Sequence, residues 1–163
     1  MKSKIIGGGI AAVAVASALA GHTNQVLEAR LDGREEVAAN AADKRIVGDP
    51  DGRGSAYVFG IDGDPRTLCY VLQVDKIAPA SAAHIHEGAR GANGPVVVNL
   101  ARPEDGDAAD CLTEGEALPN GNPAFAPGTT VAEILANPAA YYVNVHNPEF
   151  PGGAVRGQLA PGR

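Results

Sequence analysis

Read for hydrophobic and polar positions, most of the chain beyond residue 25 repeats with a period of two. Over residues 26–31, Leu27, Ala29 and Leu31 alternate with Glu28 and Arg30. Such alternation is that of a half-buried strand. Residues 55–61 are rich in aromatic and β-branched types, and in residues 67–74 Leu68, Tyr70, Leu72 and Val74 share a face. Between these two runs lies Asp62-Gly63-Asp64-Pro65, a turn cluster that makes the pair a β-hairpin. Residues 82–87, 95–100, 141–146 and 154–159 complete a set of about seven short strands. Gly/Pro-rich turns separate them and no βαβ alternation appears. The pattern therefore predicts an all-β domain, an antiparallel sandwich or Greek-key barrel.

One short helix interrupts the strands. Thr130-Val131-Ala132-Glu133 has the form of a capping box, with Val131, Ile134 and Leu135 on one side. Asn137-Pro138 ends it, because the residue before a proline avoids the α region. Residues 101–128 are rich in Pro, Gly, Asp and Asn and are expected to form a long surface excursion, tied down by Cys111.

The N-terminus reads as a processing segment. Lys2 and Lys4 precede an apolar run from Ile5 to Leu19, and Ala18-Leu19-Ala20 fits a small-x-small cleavage pattern. Residues 1–20 are thus expected to be a signal peptide, with Gly21 as the new start and residues 21–26 as a loose leader. An uncleaved anchor is the alternative, although the run is short for a span of roughly 20 residues. Cleavage leaves 143 residues (163 less 20), enough for one domain with a real core. No second apolar run is long enough to cross a membrane, so no span is expected after signal removal. The expected location is secreted or periplasmic.

Charge and cysteine content narrow the partners. Loss of Lys2 and Lys4 moves the formal charge from −6 to −8, and the basic residues form no patch. Nucleic acid is not an expected partner, since phosphate binding needs clustered Lys and Arg. The two cysteines, Cys69 and Cys111, suggest a disulfide in an exported chain. Their use as metal ligands is the alternative, without any CxxC spacing to support it.

The second half carries a family resemblance. Ala83-His84-Ile85-His86-Glu87-Gly88, Asn93-Gly94-Pro95-Val96-Val97, Tyr142-Val143-Asn144-Val145-His146 and Gly152-Gly153-Ala154-Val155-Arg156-Gly157-Gln158-Leu159 resemble the CHRD domain, the module named after chordin and also found singly in exported microbial proteins. Leu31-Asp32-Gly33, Glu35-Glu36-Val37, Gly52-Arg53-Gly54-Ser55-Ala56 and Leu68-Cys69-Tyr70 extend it forward, so that it covers residues 27–160. The resemblance implies an immunoglobulin-like β-barrel or sandwich and no settled activity. In chordin-like proteins the module belongs to an extracellular binder of growth factors. The cysteine-rich modules that accompany it there are missing here, so that role is not carried over.

Three of the four histidines lie in the matching strands. Residues two apart in a strand point the same way, so His84 and His86 share a face opposite Ile85. His146 shares one with Tyr142 and Asn144, opposite Val143 and Val145. If the strands adjoin, the three imidazoles could hold one copper or zinc ion. Glu87, Asn144 and Arg156 are candidates for a supporting shell or an anion contact, and Arg156 could equally bond loop carbonyls or a glutamate. All three histidines could also be purely structural.

A weaker similarity is to copper–zinc superoxide dismutase, which has a His-x-His-Glu segment on a barrel strand beneath long loops. Residues 101–128 could cover such a site. A bridging histidine and a zinc-binding loop are absent, and a four-histidine copper site would need His22, so dismutase activity is not expected. His22 with a free α-amine at Gly21 could bind copper on its own.

Other chemistry is thin. No G-x-S-x-G elbow, phosphate loop or HExxH is present. The acidic residues Glu104, Asp105, Asp107 and Asp110 lack EF-hand spacing and read as a solvated loop. Asp49-Pro50-Asp51-Gly52 reads as a turn. Glu35 and Glu36, as neighbours in an extended chain, face opposite ways and do not make a catalytic pair.

Three functions remain. The first is a non-enzymatic binding module with a copper or zinc site at His84, His86 and His146. The second is a metal-free extracellular interaction or adhesion module whose partner is an unknown protein or small ligand. The third is a copper or zinc enzyme.

Overall fold

In the computed structural model, residues 25–39 and 46–162 are described. The expected signal segment, the cleavage point, His22 and most of the leader lie outside them. The strands are β1 (Val26–Asp32), β2 (Arg53–Ile61), β3 (Asp64–Asp75), β4 (Ala82–Glu87), β5 (Val96–Leu100), β6 (Asp107–Thr113), β7 (Tyr141–His146), β8 (Val155–Gln158) and β9 (Ala160–Pro161). They form one sheet in the order β5-β4-β7-β8-β1-β2-β3-β6, with β9 also on β1. Every pairing is antiparallel. The sheet is nearly closed into a barrel. Of the two expected architectures it is the barrel, because one continuous sheet curls on itself where a sandwich would stack two.

The alternation seen in the sequence accounts for the core. Leu27, Ala29 and Leu31 of β1, Leu68, Tyr70 and Leu72 of β3, Ile85 of β4, and Val143 and Val145 of β7 point inward and are buried. Each large aliphatic side chain so removed from water contributes about 1.5–3 kcal/mol. The helix α1 (Val131–Ala136) places Val131 and Ile134 in the same core. Its capping box is complete, with Thr130 accepting from the Glu133 N–H and Glu133 accepting from the Thr130 N–H.

Residues 101–128 depart from expectation. They are not a plain excursion, since β6 lies within them and pairs with β3 from Thr67↔Thr113 to Gln73↔Asp107. Cys69 and Cys111 face each other in this register and are joined by an S–S bond of 2.03 Å. Farther along, Ala124 and Phe125 are buried in the core, and Phe125 bridges to Val98. The segment therefore pairs with β3 at one edge of the sheet and lies along β5 at the other, where Asn99 N–H donates to the Ala124 carbonyl and Ala126 N–H to the Val97 carbonyl.

Candidate metal centre

Strands β4 and β7 adjoin with the register Ala82↔His146, His84↔Asn144 and His86↔Tyr142. On the face turned away from the core this sets His84 and His146 as diagonal neighbours, with His86 one step along. Ring centroids are 5.1 Å apart for His84–His146, 5.6 Å for His84–His86 and 6.2 Å for His86–His146. One nitrogen from each ring lies within 4.8 Å of the other two. A tetrahedral zinc site, with Zn–N of about 2.0–2.1 Å, needs nitrogens roughly 3.4 Å apart. Small side-chain rotations would close that difference.

The hydrogen bonds aim the rings. His86 Nδ1 donates to the Gly94 carbonyl at 2.9 Å, and His146 Nδ1 donates to the Pro151 carbonyl at 3.1 Å. A carbonyl only accepts, so each bond fixes the proton on Nδ1 and leaves Nε2 with a free lone pair. Both Nε2 atoms are buried without a protein partner, as is Nδ1 of His84. Buried polar atoms are ordinarily satisfied, so three unpartnered nitrogens on clustered imidazole rings call for an explanation. A carbonyl bonded behind a ligating histidine is how metal sites orient their rings. Burial pushes the pKa of all three histidines down, that of His84 to about 4; His146 and His86 add to the effect at His84, and His146 adds to it at His86. They are therefore neutral, as metal ligands must be.

The close approach of the chain that supplies the Gly94 carbonyl depends on that residue. A Cβ at Gly94 would lie 1.6 Å from the Glu87 carbonyl oxygen. Only glycine lets the segment after β4 fold back over His86.

Of the expected supporting residues, two adjoin the histidines. Asn144 sits between His84 and Arg156 across the strands and is 3 % exposed. Arg156 is 2 % exposed, with its guanidinium 3.6 Å from the centre of the Tyr142 ring. It donates to the Asn93 side chain at 3.0 Å and the Ala92 carbonyl at 2.7 Å. Since β7 runs between β4 and β8, Tyr142 has Arg156 on one flank and His86 stacked on the other, with 4.8 Å between ring centroids and 8° between planes. Arg156 thus braces the histidine face through bonds to a loop and an aromatic ring. Glu87 projects from the opposite side of β4, at its exposed end, and does not reach the histidines.

Glu36, which lies in the family-like segment Glu35-Glu36-Val37 but was given no site role from the sequence, belongs to this face. Glu35 and Glu36 do diverge: Glu35 pairs with Arg90 at 2.7 Å on the surface, whereas Glu36 turns inward and accepts from Asn144 at 3.4 Å. Desolvation raises its pKa to about 7, against the opposing pull of Arg156. Gly153 makes room for it, since a Cβ there would stand 2.5 Å from Glu36 Oε2. Its place in the Glu35-Glu36-Val37 segment of the resemblance is the sequence signal for it; the fold-back of residues 33–39 that brings it to Asn144 is not carried by periodicity.

The cluster lies between two cavities. One of about 410 Å³ includes Glu36, His86, Tyr142 and Asn144 in its walls. The other, about 570 Å³, includes His84 together with Asn99, Asp110 and Asn122. Residues 101–128 therefore do reach the histidine site on the His84 side.

A model of the CHRD domain family matches residues 27–159. The chain belongs to the CHRD domain family. Neither the curated proteins nor the solved structures contain a match. Among the described residues no helix is long and apolar enough to cross a membrane.

Proposed function

We propose that this chain is an exported CHRD binding module that holds one copper or zinc ion through His84, His86 and His146. One observation carries the reading: three clustered imidazoles each keep a buried nitrogen without a protein partner, two of them on rings whose other nitrogen is locked to a backbone carbonyl. The donor set is all imidazole, which suits zinc and copper and leaves a fourth position for water or a small ligand. The disulfide is compatible with an oxidising location, secreted or periplasmic. The role is binding, and no catalytic group is assigned.

Titration of the metal-free protein with Cu²⁺ and Zn²⁺ tests this. The expected result is one tight equivalent, lost in His84→Ala and His86→Ala and retained in His22→Ala. Absence of tight binding in the folded wild-type protein would overturn the reading and favour the metal-free interaction module.

A further inference from the structure

The two nitrogens of His84 meet different surroundings. Nδ1 is enclosed without a partner, whereas Nε2 makes no hydrogen bond among the described residues and is not enclosed. A neutral imidazole carries one proton, and an enclosed N–H without an acceptor is the costlier placement, so the proton sits on Nε2. His86 and His146 spend their N–H on the Gly94 and Pro151 carbonyls, and His84 alone of the three keeps its N–H free. His84 lines the cavity of about 570 Å³, a volume in the range of small-molecule sites, and Nε2 is the atom it can offer there. Its neighbour across the β4–β5 pair is Asn99, which lines the same cavity. The Asn99 amide N–H donates to the Pro123 carbonyl, while Oδ1 is open and without a partner among the described residues. The wall thus shows one donor beside one acceptor. An ammonium has no acceptor for the His84 N–H, and a carboxylate has no donor for Asn99. Charge disfavours an anion as well, because Arg102 is paired with Glu104 and Asp110 stands in the wall as a further negative charge. A hydroxyl accepts and donates through one oxygen. Leu118 adds an apolar wall and Asn122 a further amide.

We propose that this cavity binds a neutral sugar ring, one hydroxyl accepting from His84 Nε2 and donating to Asn99 Oδ1 while the C–H face of the ring lies against Leu118. The site uses the His84 nitrogen that the metal reading leaves over, so it stands with or without a bound ion.

The test is a titration of the EDTA-treated, disulfide-intact protein with D-glucose, D-galactose, D-mannose and N-acetyl-D-glucosamine in turn. It is followed by NMR through the His84 ring nitrogens, the Asn99 side-chain amide and the Leu118 methyls. Saturable shifts of all three groups with at least one sugar are expected, with intermolecular NOEs from the ring to the Leu118 methyls. Asn99→Ala should weaken binding by about tenfold or more. Gln73→Ala, at an exposed position of β3, should leave it unchanged. No saturable shift with any of these sugars, or acetate or butylamine binding there as well as the sugars do, overturns the proposal. The NOEs are read on the wild type, so the test holds even where Asn99→Ala does not fold. The titration is run without metal, so failure of sugar binding and failure of metal binding are read separately.

Discussion

His84 and His146 stand diagonally across the β4–β7 pair with ring centroids 5.1 Å apart, and each leaves one buried nitrogen without a protein partner. No protein group satisfies these nitrogens, and a buried polar group left unsatisfied is penalised by about 1–3 kcal/mol. A histidine kept only for stability would be improved upon by an apolar residue of similar size. His84→Leu should therefore raise the stability of the metal-free protein by about 1 kcal/mol, measured by urea unfolding with chelator. The same substitution should weaken zinc or copper binding by more than about 100-fold, beyond the effect usual for a residue that only supports a ligand. A loss of stability with unchanged metal affinity would mark His84 as structural.

The pH dependence of folding follows from two opposed groups. The histidines ordinarily titrate near 6.5 and in the fold are held lower, His84 at about 4. Between those values the unfolded chain binds more protons than the fold, so stability falls as pH drops from about 6.5 toward 4. Glu36 acts the other way. Its pKa rises from 4.5 to about 7, so its contribution is present below 4.5 and is lost as pH rises to 7. The two partly cancel between 4.5 and 6.5. Glu36→Gln removes only the second, so the variant should lose stability more steeply than wild type on acidification through that window. Parallel urea-unfolding curves at several pH values check this, and identical slopes would contradict it.

Most of the barrel was legible because its strands bury one face and alternate cleanly. Residues 82–87 and 141–146 were bounded correctly from the sequence, and Thr130 and Glu133 form the capping box that their spacing implied. Strand β6 was not legible. Its sequence, Asp107-Ala-Ala-Asp-Cys-Leu-Thr113, has few β-branched or aromatic residues and only Leu112 fully buried. It is an edge strand, held by its register with β3 and by the Cys69–Cys111 bond. Tertiary pairing overrode weak local preference. The histidine site was half legible: period two put His84 and His86 on one face, but only strand order shows that β7 lies beside β4. Glu36 and the carbonyls of Gly94 and Pro151 come from loops, whose positions no periodicity encodes.

Arg156 is a bracing residue, and its geometry makes lysine a poor replacement. The planar guanidinium covers Tyr142 and reaches two loop acceptors at once, which a point-like ammonium does not reproduce. Arg156→Lys should cost about 2 kcal/mol in stability. The loop it holds also supplies the Gly94 carbonyl to His86, so zinc affinity should fall by about tenfold. Calorimetric Tm values and metal titrations on the same variant check both. Full metal affinity in a destabilised variant would separate the brace from the site.

The disulfide supplies the converse case. Cys69 and Cys111 join β3 to β6, and neither strand carries a histidine. Replacing both with alanine releases a long loop in the unfolded chain and should cost about 4 kcal/mol by the loop-entropy relation. Nothing in the bond orients β4 or β7, so at a temperature where the variant is folded its zinc and copper affinities should equal those of wild type. Unfolding and metal titration on Cys69→Ala/Cys111→Ala check the pair of expectations together. A coupled loss of metal binding would mean that β6 and the residues after it, which reach His84 from the side of the larger cavity, help to set the geometry of the histidines.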